Sequence, residues 1–274
     1  MTESADMSGT PPRLELRNIS KSFGAVQALS NVDFEVNAGE VMGLVGDNGA
    51  GKSTLIKIMA GAYIPDTGDI FVEGQKVNLT SPQEANHQGI ETVYQDLALS
   101  DNLDVVANMY LGREDKQWII PGIFGLLNEA EMERRTLEVL KVLNVRIPSV
   151  RVPVVGLSGG QRQCIAVAKT ILRNPKVVLL DEPTAALGVV QTRQVLNLIV
   201  RLREQGLAVV VISHNLRDVF EVVDRVTVMR LGRRAGVYTI HNTTPEKIIG
   251  AITGAEFSDV PAPEAPRPGE GGLN

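Results

Sequence analysis

The 274-residue sequence contains one cysteine, Cys164. That excludes a disulfide framework and a cysteine-built zinc site, and it fits a reducing, cytosolic compartment. No apolar run approaches the roughly 20 residues that a bilayer span needs, so membrane association is expected through a partner. There is no basic run, and the net charge is −5; bulk charge gives nucleic acid no support as a partner. Met1 to Pro12 lacks a basic region followed by an apolar one, so it does not read as a secretory signal. There is no internal repeat. What remains is a chain long enough for one large core or two modest ones, with apolar runs alternating with helical patterns, the mark of an α/β fold.

One stretch organises the rest: Gly46-Asp47-Asn48-Gly49-Ala50-Gly51-Lys52-Ser53-Thr54. The apolar run Val41 to Val45 before it reads as a short buried strand. Leu55, Ile56, Ile58 and Met59 after it read as a helix that stops at Gly61. Strand, glycine-rich turn and helix form the context in which G-x-x-x-x-G-K-[ST] is a phosphate loop. Its three glycines let consecutive N–H groups face one anion, and the helix start adds its positive dipole end. Lys52 can reach the β- and γ-phosphates, and Ser53 offers a hydroxyl to Mg²⁺.

Downstream, Val177 to Leu180 is a fully apolar strand ending in Asp181-Glu182-Pro183. A carboxylate at that end of a parallel strand can hold Mg²⁺, and the next one can orient or deprotonate a water aimed at the γ-phosphate. Val195, Leu198, Ile199 and Leu202 form a helical stripe stopped by Gly206. Leu207 to Ile212 is another buried strand, and it delivers Ser213-His214. Capping patterns open helices at Ser81-Pro82, Asn128 and Thr244-Pro245. The middle, about 96–157, shows no obvious strand; Trp118 to Gly125 reads there as an apolar, glycine-broken loop. Leu157-Ser158-Gly159-Gly160-Gln161 opens a helix that Ser158 can cap, and Gly159 and Gly160 allow close approach to an anion. Residues 1–12 and 258–274 read as disordered. Cys164, Met42, Met59 and Met132 read as packed core, and His87 and His241 as surface.

The order of phosphate loop, Gln95, Leu-Ser-Gly-Gly-Gln, Leu-Leu-Asp-Glu-Pro-Thr and Ser-His resembles the nucleotide-binding subunit of ABC transporters, over about residues 13–254. The resemblance implies an α/β P-loop NTPase core with an inserted α-helical subdomain at about 96–172 and an N-terminal antiparallel β-region. It implies ATP as substrate and Mg²⁺ held by Ser53, Asp181 and Gln95, with Gln95 also sensing a membrane partner. His214 corresponds to a histidine on the γ-phosphate. Phe23 stands where an aromatic stacks on adenine, or else serves packing. The Leu157–Gln161 segment is the family signature, binding the γ-phosphate held by the opposite subunit.

The family's usual Ser-Ala-Leu-Asp after Pro-Thr is Ala185-Ala186-Leu187-Gly188 in this chain, which puts the coupling of two sites in doubt. Tyr94 to Leu99, Asn108 to Glu114 and Glu182 to Gly188 are similar to carbohydrate importers of the ribose, xylose and fructose kind. That implies a homodimer on the cytoplasmic face of the inner membrane, with an integral membrane permease and a periplasmic sugar-binding protein. Residues 96–125 are then expected to face the permease. Trp118, Ile119, Ile120, Ile123 and Phe124 serve that contact or pack the helical subdomain. The alternatives from other classes are a soluble ABC-type ATPase acting on nucleic acid or ribosomes, a non-hydrolysing regulatory module, and a transporter ATPase for a non-sugar substrate.

Overall fold

The computed structural model describes residues 10–120 and 124–255, and for 117–120, 124 and 125 the backbone alone. The expected disorder of 1–12 and 258–274 therefore falls, apart from 10–12, outside the described residues.

The chain opens with a long hairpin, β1 (Leu14–Phe23) and β2 (Val26–Val36), paired antiparallel. β3 (Val41–Gly46) follows and runs into α1 (Lys52–Met59). β4 (Thr67–Val72) and β5 (Gln75–Val77) join the hairpin to give a four-stranded antiparallel sheet, ordered β2-β1-β4-β5. The reversal between β4 and β5 is made by Glu73 and Gly74, both at positive φ. Then come α2 (Pro82–His87), β6 (Ile90–Val93) and α3 (Val105–Tyr110). After the region holding α4 (Glu129–Val142) and α5 (Gly159–Ile171), strands and helices alternate. They are β9 (Val177–Asp181), α6 (Val189–Glu204), β10 (Ala208–Ile212), α7 (Leu216–Val222) and β11 (Arg225–Arg230). β12 (Arg233–Thr239) and α8 (Pro245–Thr253) close the described chain.

The second sheet is ordered β12-β11-β3-β10-β9-β6. Its strands are parallel except for β12 at the edge. Both faces are covered, which is why the inner strands are apolar without alternation. Val41 and Val45 of β3, with Val178 and Leu180 of β9, pack toward α3 to α8. Met42, Leu44, Val177 and Leu179 pack the other way, onto α1 and the four-stranded sheet. The two-residue side-chain period of a strand thus feeds two cores from one sheet. The α6 stripe is buried as its spacing implies: Val195, Leu198, Ile199 and Leu202 are at most 2% exposed. Each such side chain contributes about 1.5–3 kcal/mol by burial.

Local chemistry at the helix starts is as the sequence indicates. Ser81, Asn128 and Thr244 each accept the N–H three residues on. Met42, Met59, Met132 and Cys164 are buried, and His87 and His241 are exposed.

One region differs. The segment read as a loop around Trp118 contains a two-stranded antiparallel ladder, β7 (Lys116–Ile120) and β8 (Phe124–Leu127). Aromatic and β-branched residues flank a Pro-Gly pair there, which is hairpin chemistry. The apolar side chains of Trp118, Ile119, Ile120, Ile123 and Phe124 lie outside the described residues.

Candidate functional site

Parallel pairing sets the site. Ile212 of β10 stands level with Leu44 of β3 and with Asp181 of β9. The residues just past these strand ends therefore gather at one edge of the sheet: the phosphate loop, Glu182, and Ser213-His214. Ligands of open α/β sheets bind at the carboxyl ends of the strands.

The loop is built by glycine. Gly46, Gly49 and Gly51 have φ of 153°, 78° and 101°. A Cβ on Gly46 would lie 2.3 Å from the Met229 carbonyl oxygen, and one on Gly51 2.7 Å from Leu29 Cδ2. Asp47, Asn48 and Gly49 are exposed, Ala50 is buried, and Thr54 is half-buried. Gly51 sits at the cap position of α1 and supplies no side-chain cap, so the first amides of that helix are left for a ligand. Lys52 is 8% exposed. Its Nζ donates to the carbonyls of Gly46 and Asp47 at 2.8 and 2.9 Å, arching over the loop. Burial lowers its pKa, while Glu182, Asp47 and Asp181 push it back up. Ser53 is exposed on the first turn of α1.

Asp181 ends β9, half-buried. Burial, then the neighbouring Glu182, raises its pKa, so it gains from a nearby cation. Glu182 has φ 50°, uncommon for a residue with a Cβ. It is held there by its N–H donating to the Ile212 carbonyl at 2.9 Å. Its Oε2 lies 2.8 Å from His214 Nδ1. The two residues are 32 apart in sequence and meet because β9 and β10 are neighbours. In the tautomer with its proton on Nδ1, the imidazole donates to that carboxylate. A cleft of about 430 Å³ runs along Gly46, Asp47, Asn48, Ser213, His214 and Ile252 of α8.

The remaining expected residues lie further out. Gln95 is exposed two residues past β6, next to the strand of Asp181, and has no hydrogen bond among the described residues. Phe23, at the end of β1, is 44% exposed and meets Tyr63 edge-on, with centroids 5.2 Å apart. Sequence reasoning did not single out Tyr63; its only signal was an aromatic just before the Pro65-Asp66 turn.

The signature forms its own unit. Leu157 is buried. Ser158 caps α5 reciprocally: its Oγ accepts from Gln161 N at 3.3 Å and its N–H donates to Gln161 Oε1 at 3.0 Å. Gln161 Nε2 also donates to the Arg146 carbonyl at 3.1 Å. Of the two glycines expected to allow close approach to an anion, Gly160 also meets a packing demand. Gly160 is buried, and a Cβ there would lie 2.8 Å from Gln191 Cβ, so helix packing requires it. Gly159 is looser, with Leu187 Cδ2 at 3.2 Å from such a Cβ. Gly188, where the family usually has aspartate, caps α6 with no side chain; Gln191 Oε1 accepts its N–H at 3.2 Å. Among the described residues, no side chain of the signature hydrogen-bonds to the phosphate loop.

A glycine-built loop, an arching lysine and an Asp-Glu pair on one sheet end define a P-loop nucleotide-binding protein. A family model described as ABC transporter matches residues 29–185. The xylose/arabinose import ATP-binding protein XylG of Sulfolobus acidocaldarius is 49% identical over 240 residues, covering 88% of this chain and 93% of that protein. The fructose import ATP-binding protein FrcA of Rhizobium meliloti is 46% identical over 250 residues, covering 89% and 95%. The ADP conformation of MJ1267, an ATP-binding cassette of an ABC transporter, superposes with a TM-score of 0.75 at 26% identity, covering 90% and 96%. The chain belongs to the ABC transporter family, as one of its ATP-binding, ATP-hydrolysing cassettes.

Proposed function

We propose that this chain drives import of a sugar, as a homodimer of cassettes on the cytoplasmic side of a separate membrane permease. The Glu182–His214 hydrogen bond beside the phosphate loop carries the catalytic part of this reading. The likeness to xylose/arabinose and fructose import proteins over nearly their whole length supports the sugar part.

In this reading the loop amides and Lys52 hold the β- and γ-phosphates, giving Lys52 charged acceptors in place of two loop carbonyls. Phe23 stacks on adenine. Glu182 takes the proton of the attacking water, and His214 orients that carboxylate and contacts the γ-phosphate. Ser53, Asp181 and Gln95 offer hard oxygen donors of the kind Mg²⁺ takes alongside phosphate and water. Bound there, Mg²⁺ would offset phosphate charge.

The signature's helix start, Leu157 to Gln161, is remote from its own loop in hydrogen bonding, so it serves the ATP of a second copy. The γ-phosphate then bridges two chains, and its removal weakens the closed dimer relative to the open one. Residues 96–125, which come directly after Gln95, face the permease. A periplasmic sugar-binding protein completes the importer.

The test has two parts. Glu182→Gln is expected to lower turnover about 10²- to 10⁴-fold while ATP binding is retained. Equal, negligible turnover of wild type and variant on the permease would contradict the motor. Cells lacking the chain should lose uptake of labelled xylose, arabinose or fructose; unchanged uptake of all three would contradict the sugar assignment.

A further inference from the structure

A second cleft, of about 250 Å³, lies between α2, β6, α5 and residues 94–98 and shares no lining residue with the phosphate loop. Arg113, Lys169 and Arg173 line it, against two carboxylates, Glu91 buried on β6 and Asp96 on the exposed lip. Arg173 has a partner: its Nη1 donates to Glu91 Oε1 at 2.7 Å. Asp96 is turned to its own loop, where it accepts the Ala98 N–H at 3.3 Å. The other two cations are unmatched. Among the described residues neither Arg113 nor Lys169 pairs with a carboxylate, and Arg113 Nε is buried with no acceptor. Burial and then the neighbouring cations lower the pKa of both, and Glu91 pushes that of Arg113 part of the way back up.

Half-buried cations that repel one another destabilise a fold unless an anion answers them. A planar guanidinium beside a mobile ammonium suits a two- or three-oxygen acceptor.

We infer that this cleft is an oxyanion site, in which Arg113 and Lys169 take a carboxylate or phosphate group. Its lip, residues 94–98, carries Gln95 and runs into the segment assigned to the permease. An acidic side chain of that partner is one source of the group, and a free inorganic anion is the other. Only the first source rests on the importer reading; the site itself does not.

The full chain saturated with Mg-ADP, so that the phosphate loop is filled, is titrated calorimetrically with inorganic phosphate and with a hexapeptide carrying two glutamates. At least one probe is expected to bind, with affinity falling about tenfold in Arg113→Gln and in Lys169→Gln. Arg113→Lys and Lys169→Arg should keep most of it. Phosphate binding identifies a free-anion site, and binding of the peptide alone a protein carboxylate. Without either probe, each neutral variant should melt higher by roughly 2–4 °C, because a repulsion is removed. Lower melting in both, or probe binding that neither variant weakens, overturns the proposal, as does the binding of neither probe. None of these outcomes depends on turnover, so failure here is distinct from failure of Glu182→Gln.

Discussion

The two helix starts that the proposed mechanism brings to one phosphate are built in opposite ways. At α1 the chain leaves its first amides uncapped, and glycines at positive φ curl the backbone around them. At α5 Ser158 and Gln161 satisfy each other, and Gln161 further holds the Arg146 carbonyl. The first is a complete cradle shaped for an anion. The second is a rigid, self-satisfied end that must present its remaining amides from outside. A cradle suits the chain's own nucleotide; a pre-set end suits someone else's. The difference teaches that pre-organisation can come from glycine freedom or from capping, and that which one is used tells on whose ligand the element acts.

Substitutions can break this contrast. Gly46→Ala should have the largest effect on stability, about 3 kcal/mol, since its Cβ would sit 2.3 Å from a backbone oxygen that cannot swing away. A denaturant midpoint unchanged by this substitution would mean the loop is not held against Met229. Gly160→Ala should lower stability by about 1–3 kcal/mol, because the Gln191 backbone and Cβ stand in the way. Gly159→Ala meets only the end of Leu187 and should cost under about 1 kcal/mol. Equal values for the two neighbours would remove the claim that Gly160 serves α6 packing. Ser158→Ala should cost about 1 kcal/mol through its lost cap while leaving nucleotide affinity of the isolated chain unchanged. A weaker affinity would bring the signature back to its own loop. The smallest effect concerns Cys164, whose thiol burial pushes up to about 12. At pH 8 almost no thiolate forms, so iodoacetamide should label it only after unfolding; rapid labelling of the native chain would open this face of α5.

What the sequence made legible was local. The phosphate loop, the α6 stripe, and the caps at Ser81, Asn128 and Thr244 each depend on residues within a turn or two of one another. The β7–β8 ladder had a signal in its aromatic and β-branched residues, but runs this short have no period to separate loop from ladder. Pairings across the chain were hidden for a different reason. Glu182 and His214 meet through strand order, Gly160 and Gln191 through helix packing, and Arg113 and Lys169 through the packing of α3 on α5. The residue types at the first pair were readable from the motif order, but their 2.8 Å contact was not. The unmatched cations had no motif at all and became visible only when their surroundings were laid out.

The bridging of one nucleotide by two copies is tested most directly by sedimentation of Glu182→Gln with Mg-ATP, against the same variant carrying Ser158→Ala. Mg-ATP should convert the single variant from monomer to dimer, Mg-ADP should not, and the double variant should stay monomeric at concentrations where ATP still binds. A single variant that remains monomeric with Mg-ATP, or a double variant that dimerises as well as the single, would contradict it.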